Sequence, residues 1–225
     1  MPELVSLARD GVLRAAINTG NRALVQKTGD RLLGISPALA ERLSVVIGAR
    51  LELVVYAGAG AVFEDAMQDA WDVAFLAVDP KRAEKVSFTR PYVTIEASFA
   101  VRAQGPIQTL SDADQEGVRL LTSKGSAYDL HLTKTLKRAH LDRHGTPPES
   151  FEAFREGSWD AVAGVRASLE AAFSDDSDIR ILPEALTKVQ QAMVLPGAHN
   201  PMIDALDNFI AEAIDEGFVA AHWAA

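Results

Sequence analysis

Two arginines follow short apolar stretches that each begin with Trp-Asp. At the first, Trp71-Asp72 leads into an apolar run from Val73 to Val78, which Asp79-Pro80 ends shortly before Arg82. Such a run predicts a buried strand that ends in a turn, with the guanidinium just past the carboxyl end of the strand. Because ligands of open α/β sheets bind outside these ends, Arg82 is predicted to hold a small anion, the alternative being a surface charge on a loop.

The same arrangement occurs again further along the chain. Trp159-Asp160 leads into an apolar run at 161–165, Arg166 follows, and apolar residues at helical spacing precede both Trp-Asp pairs. The repetition predicts two related α/β lobes, each with an arginine past a strand end; chance similarity is the alternative. Arg166 also begins a predicted helix, where the helix dipole disfavours a cation. It either faces a ligand or pairs with Glu170 on the same helix.

Strand-like and helix-like segments alternate around these arginines and predict an α/β fold with mostly parallel sheets. Two extended segments, 93–101 and 188–195, are predicted to carry the chain into the second lobe and back. The other predicted strands are 12–17, 51–56, 73–78, 118–121, 161–165 and 179–182. The predicted helices are 3–8, 36–48, 62–70, 128–139, 151–157, 167–173 and 202–215.

Polar residues follow two of the predicted strands. The first strand ends in Asn18-Thr19-Gly20-Asn21, which suits a tight turn. In the second lobe, Ser126 and Tyr128 belong to a loop that leads into a helix, where backbone N–H groups and a hydroxyl can bind an anion. The Gly-rich turn at 57–61 lacks the third glycine of a dinucleotide fingerprint and the lysine of a P-loop, so phosphate binding is not expected there.

The composition limits the classes of function. The 225 residues carry 22 basic and 31 acidic side chains, a net charge of −9, without a long basic cluster, so nucleic acid is not an expected partner. No apolar run approaches the roughly 18 residues needed to cross a bilayer, so no membrane insertion is expected. The absence of cysteine excludes disulfides and thiolate metal sites.

Patterns for catalysis and metal binding are weak. His140 and His144 have a spacing that suits a metal, but no third ligand lies nearby in the sequence, and a solvated turn is the simpler interpretation. Ser126 lacks the nucleophile-elbow pattern of hydrolases. We therefore expect no enzyme activity, no metal and no cofactor.

Several segments together resemble the family 3 extracellular solute-binding proteins. They are the strand Gly11 to Ala16, the helix start Gly34 to Ala40, the Trp-Asp strand, Lys81-Arg82, and Phe88-Thr89-Arg90-Pro91-Tyr92. The resemblance implies the two-lobed clamshell of a type II periplasmic binding protein, with two hinge strands that close over one ligand. It places lobe 1 at 1–95 plus 191–225 and lobe 2 at 96–190.

Two positions match family residues that bind a ligand's α-carboxylate. Arg82 matches the arginine that binds it through a bidentate pair. Ser126 matches a second-lobe residue that contacts the same group. The family's aromatic platforms for the ligand side chain fall on Asn21 and Ala59, neither of which is aromatic.

Other departures concern the ligand's ammonium. Serines that help bind the carboxylate and ammonium fall on Ala74, Phe75 and Ala77, and the acidic residue that grips the ammonium falls on Val165, beside Arg166. These departures put an ordinary L-amino acid in doubt as the ligand. A dicarboxylate becomes the better candidate if Arg166 faces the ligand. Asn18, Asn21 and Tyr128 are expected to contact the polar remainder, and Phe75 to form an apolar wall. The predicted ligand-binding set is Arg82, Ser126, Phe75, Asn18, Asn21, Ala77, Tyr128 and Arg166.

The resemblance implies the solute-binding component of an ABC importer, which delivers a small anionic or zwitterionic solute to a membrane permease. A sensory or regulatory binding module and a dehydratase-like enzyme on the same scaffold are the alternatives. A monomer in the periplasm is expected from the family. Met1-Pro2-Glu3-Leu4 has no basic region before an apolar core, so the expectation is either a leader trimmed beforehand or a cytoplasmic location.

Overall fold

The structure, a computed structural model, describes residues 2–223. No helix within that range is long and apolar enough to cross a membrane. The strands are β1 (Val12–Asn18), β2 (Gln26–Thr28), β3 (Arg31–Leu33), β4 (Arg50–Tyr56), β5 (Val73–Ala77), β6 (Val86–Phe88), β7 (Val93–Arg102), β8 (Arg119–Thr122), β9 (His140–Arg143), β10 (Ala161–Val165), β11 (Ile179–Ile181) and β12 (Thr187–Pro196). The α-helices are α1 (Ile35–Ile47), α2 (Ala59–Glu64), α3 (Pro80–Ala83), α4 (Leu110–Ala113), α5 (Ala127–Thr135), α6 (Pro147–Glu156), α7 (Arg166–Phe173), α8 (Ile203–Asp215) and α9 (Phe218–Ala221), with 3-10 helices at Pro2–Leu7 and Asp65–Met67.

The chain divides into two compact units. The first contains the described residues up to Thr19, then Ala23–Thr94, then the chain from Gln190 onward. The second contains Ile95–Val189 together with a three-residue segment, Gly20–Arg22, that lies far away in the sequence. The chain passes between the main parts of the units inside two long strands, β7 and β12.

The first unit has a mostly parallel sheet. Strands β4, β1 and β5 are parallel neighbours, and β12 and then β6 continue the sheet antiparallel. Residues of β5 are all buried, which explains why the sequence from Val73 to Ala77 is an uninterrupted apolar run. Trp71 closes the core on one face, where its indole N–H donates to the carbonyl of Val62.

The second unit repeats this arrangement. Strands β9, β8 and β10 are parallel neighbours, and β7 and then β11 continue the sheet antiparallel. Its core packs α6 and α7 on the sheet through Phe151, Phe154, Leu169 and Phe173. Strands β5 and β10, which both follow Trp-Asp, therefore occupy the same place in their sheets.

The two Trp-Asp aspartates have the same structural role. The Asp72 N–H donates to the carbonyl of Arg14, and its carboxylate accepts from the Arg14 N–H at 2.8 Å. The Asp160 N–H donates to the carbonyl of Arg119, and its carboxylate accepts from the Arg119 N–H, also at 2.8 Å. Each aspartate thus fixes the register between the strand it precedes and the parallel neighbour. The sequence repeat corresponds to a repeat in structure.

Two predicted helices are shorter than expected. The helix predicted to reach Ala70 ends as α2 at Glu64 and continues as a 3-10 turn to Met67, which is 61% exposed. The helix predicted to reach Ala139 ends at Thr135, so Lys137 lies outside it and does not complement its dipole.

Asp114 explains the early end of α5. Its carboxylate accepts hydrogen bonds from the backbone N–H groups of Lys137, Arg138 and Ala139, at 3.1, 2.8 and 3.0 Å. These N–H groups cannot simultaneously continue the helix. His140, which directly follows the helix predicted at 128–139, is the first residue of strand β9.

The Asp114→Ala variant is expected to lose about 1 kcal/mol of stability near neutral pH, as for loss of a helix-capping side chain. Hydrogen bonds from the N–H groups of Ala139 and Arg138 lower the pKa of Asp114 below its ordinary value. The contribution is therefore fully present above the unfolded value of about 3.9 and is lost as the pH falls through the lowered pKa. Urea unfolding at pH 7 and at pH 3 measures it, with exposed Asp175→Ala as the control; an equal deficit at both pH values would contradict it.

Candidate functional site

In the first unit, the carboxyl ends of three parallel strands lie at one edge of the sheet. Asn18 ends β1 beside Tyr56, which ends β4, and Ala77 ends β5. The N–H and hydroxyl of Thr19 both donate to the carbonyl of Tyr56, so the chain leaves β1 in a fixed direction. Parallel sheets bind ligands outside this edge.

Arg82 is held at this edge by the turn that follows β5. Asp79 caps the short helix α3 and accepts hydrogen bonds from the N–H groups of Lys81 and Arg82, at 2.8 and 3.3 Å. The Nη1 atom of Arg82 donates to the carbonyl oxygen of Ala77 at 3.1 Å. The predicted residues Arg82 and Ala77 are therefore in direct contact.

The charge of Arg82 is unusually well shielded from water, since the residue is only 1% exposed. Burial lowers the pKa of Arg82 to about 10, and the nearby charge of Asp79 opposes the shift without cancelling it. Burying a charged guanidinium costs free energy, because the group loses its hydration. An anion bound beside it would offset this cost.

Phe75 projects from the middle of β5. It is 4% exposed, and its ring makes an edge-to-face contact with Tyr92, with centroids 6.3 Å apart. Its neighbours Ala74 and Leu76 belong to the core on the opposite face of the strand. Phe75 and Tyr92 form an apolar aromatic surface on the face away from Trp71. The ligand wall expected of Phe75 stays a prediction.

In the second unit, Ser126 directly precedes α5. Its hydroxyl oxygen accepts from the Asp129 N–H at 3.0 Å, as an N-cap does. The carboxylate of Asp129 accepts in turn from the Gly125 N–H at 2.9 Å and from Nε of Arg143 at 2.8 Å. A capping hydroxyl acts as acceptor and can also donate its proton. Ser126 also forms a hydrogen bond with Tyr128, and donation to a ligand carboxylate, the role predicted for it, stays a prediction.

Tyr128 is packed inside the second unit. It is 4% exposed, and its hydroxyl and that of Ser123 are 2.7 Å apart. Burial raises the pKa of Tyr128 to about 12, while hydrogen bonds with Ser123 and Ser126 act in the opposite direction. The hydroxyl stays protonated at neutral pH and supports the loop 123–126. The direct ligand contact expected of Tyr128 stays a prediction.

Arg166 is held by acceptors of its own unit. Its Nε atom donates to the Glu96 carboxylate at 3.2 Å, and its Nη atoms donate to the carbonyls of Leu182, Pro183 and Glu184. The ion pair shown is thus with Glu96, whereas the sequence offered Glu170. Arg166 ties α7 to the segment that follows β11, and its contact with a ligand stays a prediction.

Asn21 belongs to the Gly20–Arg22 segment and contacts the second unit through its neighbours. The hydroxyl of Ser168 donates to the carbonyl of Gly20 at 3.2 Å and accepts from the Arg22 N–H at 3.1 Å. Asn21 itself is 8% exposed, and its Oδ1 atom is buried with no hydrogen-bond partner among residues 2–223. The same holds for the hydroxyl of Thr122 at the end of β8.

Sequence reasoning missed Ser168, Asp129 and Glu96. Ser168 meets partners 146 and 148 residues away, so no local pattern could indicate it. Asp129 does have a local signal, because Ser126 and Asp129 have the spacing of a capping box.

His140 pairs with Asp142 at 2.9 Å, and no group of three or more acidic or histidine side chains suited to a metal occurs in the described range.

Two α/β units, connected through two long strands and each with a mostly parallel sheet, define the fold of type II periplasmic binding proteins. The family model of bacterial extracellular solute-binding proteins, family 3, matches residues 13–222. The chain belongs to this family.

Individual relatives are distant. A glutamine-binding protein of Geobacillus stearothermophilus is 24% identical over 116 residues, 52% of this chain and 44% of that protein. A cysteine-binding protein of Campylobacter jejuni superposes with a TM-score of 0.84 at 21% identity, covering 99% of this chain and 92% of the other. An ancestral amino acid-binding protein, a precursor of cyclohexadienyl dehydratase, superposes with a TM-score of 0.79 at 16% identity, covering 98% and 97%. These structures share the fold.

Proposed function

We propose that this protein is the solute-binding component of an ABC importer and captures a small amino-acid-like solute by its carboxylate. The observation that carries the proposal is Arg82, a guanidinium 1% exposed at the carboxyl end of β5. Its burial lowers the pKa to about 10. Such a group is poised for a bidentate pair with a carboxylate, which is among the stronger charged hydrogen bonds.

In the second unit, Ser126 is proposed to bind a carboxylate. Its hydroxyl proton would be donated to that carboxylate, while its oxygen caps α5. The loop 123–126 is held in one conformation by the hydroxyl pair of Ser123 and Tyr128 and by the carboxylate of Asp129. A loop fixed before binding loses little conformational entropy when the ligand arrives.

The ligand is proposed to be handed to a membrane permease and released unchanged. The family and the glutamine- and cysteine-binding relatives support a transport role in the periplasm. The polar side chains proposed to contact the ligand are those of arginine, asparagine, serine and tyrosine, and burial keeps the tyrosine protonated at neutral pH. None of these proposed contacts is a general base suited to neutral pH.

A thermal-shift screen tests this function. We expect purified protein to melt at a higher temperature with at least one of the twenty L-amino acids, dicarboxylates, keto acids or amides. Ligand at about a hundred times its Kd adds roughly 2.7 kcal/mol to the free energy of unfolding. Mass spectrometry of the recovered ligand should find it unchanged. A protein that no carboxylate stabilises, or that converts its ligand, would contradict the proposal.

A further inference from the structure

Strand β4 forms an open edge of the sheet in the first unit, since its only neighbouring strand within residues 2–223 is β1. The N–H of Arg50 donates to the carbonyl of Gly11, and the carbonyl of Tyr56 accepts from the N–H of Thr19. The even-numbered residues of β4 therefore direct their backbone groups toward β1, and the residues between them direct theirs away from it. The residues whose N–H and carbonyl groups face outward from the sheet are Leu51, Leu53 and Val55.

The edge strand of the second unit, β9, is better protected than β4. It has four residues, and its side chains pair within their own unit: His140 with Asp142 at 2.9 Å, and Arg143 with Asp129 at 2.8 Å. Natural proteins prevent edge-to-edge pairing with such short, charged strands and with lysine or proline. β4 has seven residues and contains neither lysine nor proline. It is therefore the edge that is more open to another strand.

Two exposed side chains of opposite charge lie on one face of β4. The side chains of Arg50 and Glu52 are 66% and 51% exposed and form an ion pair at 3.5 Å. An antiparallel neighbour presents its residues in reverse order, so a second copy of β4 centred on Leu51 brings its Glu52 opposite Arg50, and its Arg50 opposite Glu52. These pairs lie between the hydrogen-bonded pairs, where opposite side chains are closest. The edge is thus complementary in charge to itself.

Exposed valines extend the same surface. Val55, near the carboxyl end of β4, is 57% exposed, and Val45, in the last turn of α1, is 74% exposed. Helix α1 ends at Ile47, shortly before β4 begins, so Val45 lies near the amino end of the strand. In the register centred on Leu51, residue 55 of one copy comes beside residue 47 of the other. Val55 is thereby placed next to the end of α1 that carries Val45.

We propose that two copies of this protein associate through β4, as a two-fold antiparallel pair centred on Leu51. The outward N–H and carbonyl groups of Leu51 exchange hydrogen bonds with Leu51 of the second copy, and Arg50 and Glu52 form ion pairs across the interface. A two-fold contact uses the same patch on both copies and is complete at the dimer. The inference does not depend on the ligand, and it differs from the monomer expected from the family.

Sedimentation velocity tests the dimer. The wild type is measured from about 5 to about 200 µM, because an interface built on one strand is small and weak. We expect a monomer–dimer equilibrium in this range. Arg50→Glu and Glu52→Arg each place like charges opposite one another, so each should weaken the dimer at least about tenfold. The double variant Arg50→Glu/Glu52→Arg restores opposite charges and should dimerise within about threefold of the wild type.

Mixing the two single variants is the sharpest form of the test. A copy with Arg50→Glu and a copy with Glu52→Arg carry opposite charges at both cross-strand positions. The mixture should therefore form a heterodimer, although each variant alone stays a monomer. Glu52→Arg adds two positive units, so the net charge changes from −9 to −7. General charge repulsion between copies would predict a stronger dimer for this variant, whereas the β4 pair predicts a weaker one.

Arg31→Glu is the matched control, because Arg31 is exposed on β3 of the same unit and its reversal changes the net charge as Arg50→Glu does. It should associate like the wild type. The substituted side chains on β4 are exposed, so the variants should fold, and their melting temperatures are compared to check this. A wild type that stays monomeric at the highest concentration would overturn the proposal. So would single variants that dimerise like the wild type, or a mixture without heterodimer.

Discussion

The Arg82→Met variant is expected to bind carboxylates at least about a hundredfold more weakly than the wild type, while its unliganded form is no easier to unfold. Removing one partner of a buried ion pair leaves the other uncompensated, at a typical cost of about 3–5 kcal/mol. In the proposed function, the partner left uncompensated is the ligand's carboxylate. Isothermal titration calorimetry measures the loss in affinity.

The stability of the unliganded variant distinguishes a binding residue from a structural one. Burial lowers the pKa of Arg82 from 12.5 to about 10, so the charged form is disfavoured in the folded protein. This destabilisation is present below the folded pKa and relieved above it. Losing the hydrogen bond to Ala77 acts in the opposite direction. The free energy of unfolding in guanidinium chloride should therefore not fall.

Arg90→Met is the matched control on the same unit. Arg90 is half-exposed and pairs with Asp207 at 2.7 Å, so this variant should keep its ligand affinity within about twofold. A loss of affinity in Arg90→Met equal to that in Arg82→Met would mean that the net charge of the protein determines ligand affinity, and that Arg82 has no specific role. A fall of several kcal/mol in the stability of Arg82→Met, with binding intact, would mean that Arg82 is structural.

The Asp72→Ala variant is expected to lose about 3 kcal/mol of stability, and Asp160→Ala only about 1 kcal/mol, although both aspartates have the same role in their sheets. The Asp72 side chain is 3% exposed and also pairs with the guanidinium of Arg14 at 2.7 Å. The hydrogen bond with Asp72 is the main reason that the pKa of Arg14 is raised. Asp160 is half-buried, and its carboxylate accepts from the Arg119 N–H.

Guanidinium chloride unfolding of the two variants tests this difference. Unfolding is followed by far-UV circular dichroism and separately by tryptophan fluorescence, because two units need not unfold in one step. Asp72→Asn is a further variant that keeps the shape and one acceptor, and it should fall between the wild type and Asp72→Ala. Equal losses in Asp72→Ala and Asp160→Ala would show that burial of the ion pair does not matter.

Much of the fold could be predicted because its signals are local. The apolar runs of β5 and β10 are buried strands, and the two Trp-Asp pairs mark the same position in each sheet. The extended segments at 93–101 and 188–195 are strands β7 and β12, within about a residue at each end. Such strands can be recognised in a sequence because they are rich in β-branched and aromatic residues.

Other elements could not be predicted because distant contacts decide them. The end of α5 depends on Asp114, more than twenty residues earlier, which takes the backbone N–H groups that would extend the helix. The hairpin of β2 and β3 was missed, since its strands have three residues each and little apolar pattern. Its turn at Gly29-Asp30, with Gly29 at a φ of 60°, is the signal that could have found it.

The candidate site also combines residues that local signals predict with contacts that depend on residues distant in the sequence. Arg82 was predicted from its place after a strand, and the structure adds the carbonyl of Ala77 and the cap of Asp79 that hold it. The partners of Arg166 could not be predicted, because Glu96 lies 70 residues away. Helical spacing offered only Glu170, the local choice.

The most direct test of carboxylate recognition compares one ligand in two forms. The best amino acid from the screen and its primary carboxamide, which differ only at the group assigned to Arg82, are titrated calorimetrically into the wild-type protein. Loss of the charged hydrogen bonds predicts an affinity at least about a hundredfold lower for the carboxamide. Equal affinity for the two forms would contradict the assignment of Arg82 as the carboxylate-binding residue.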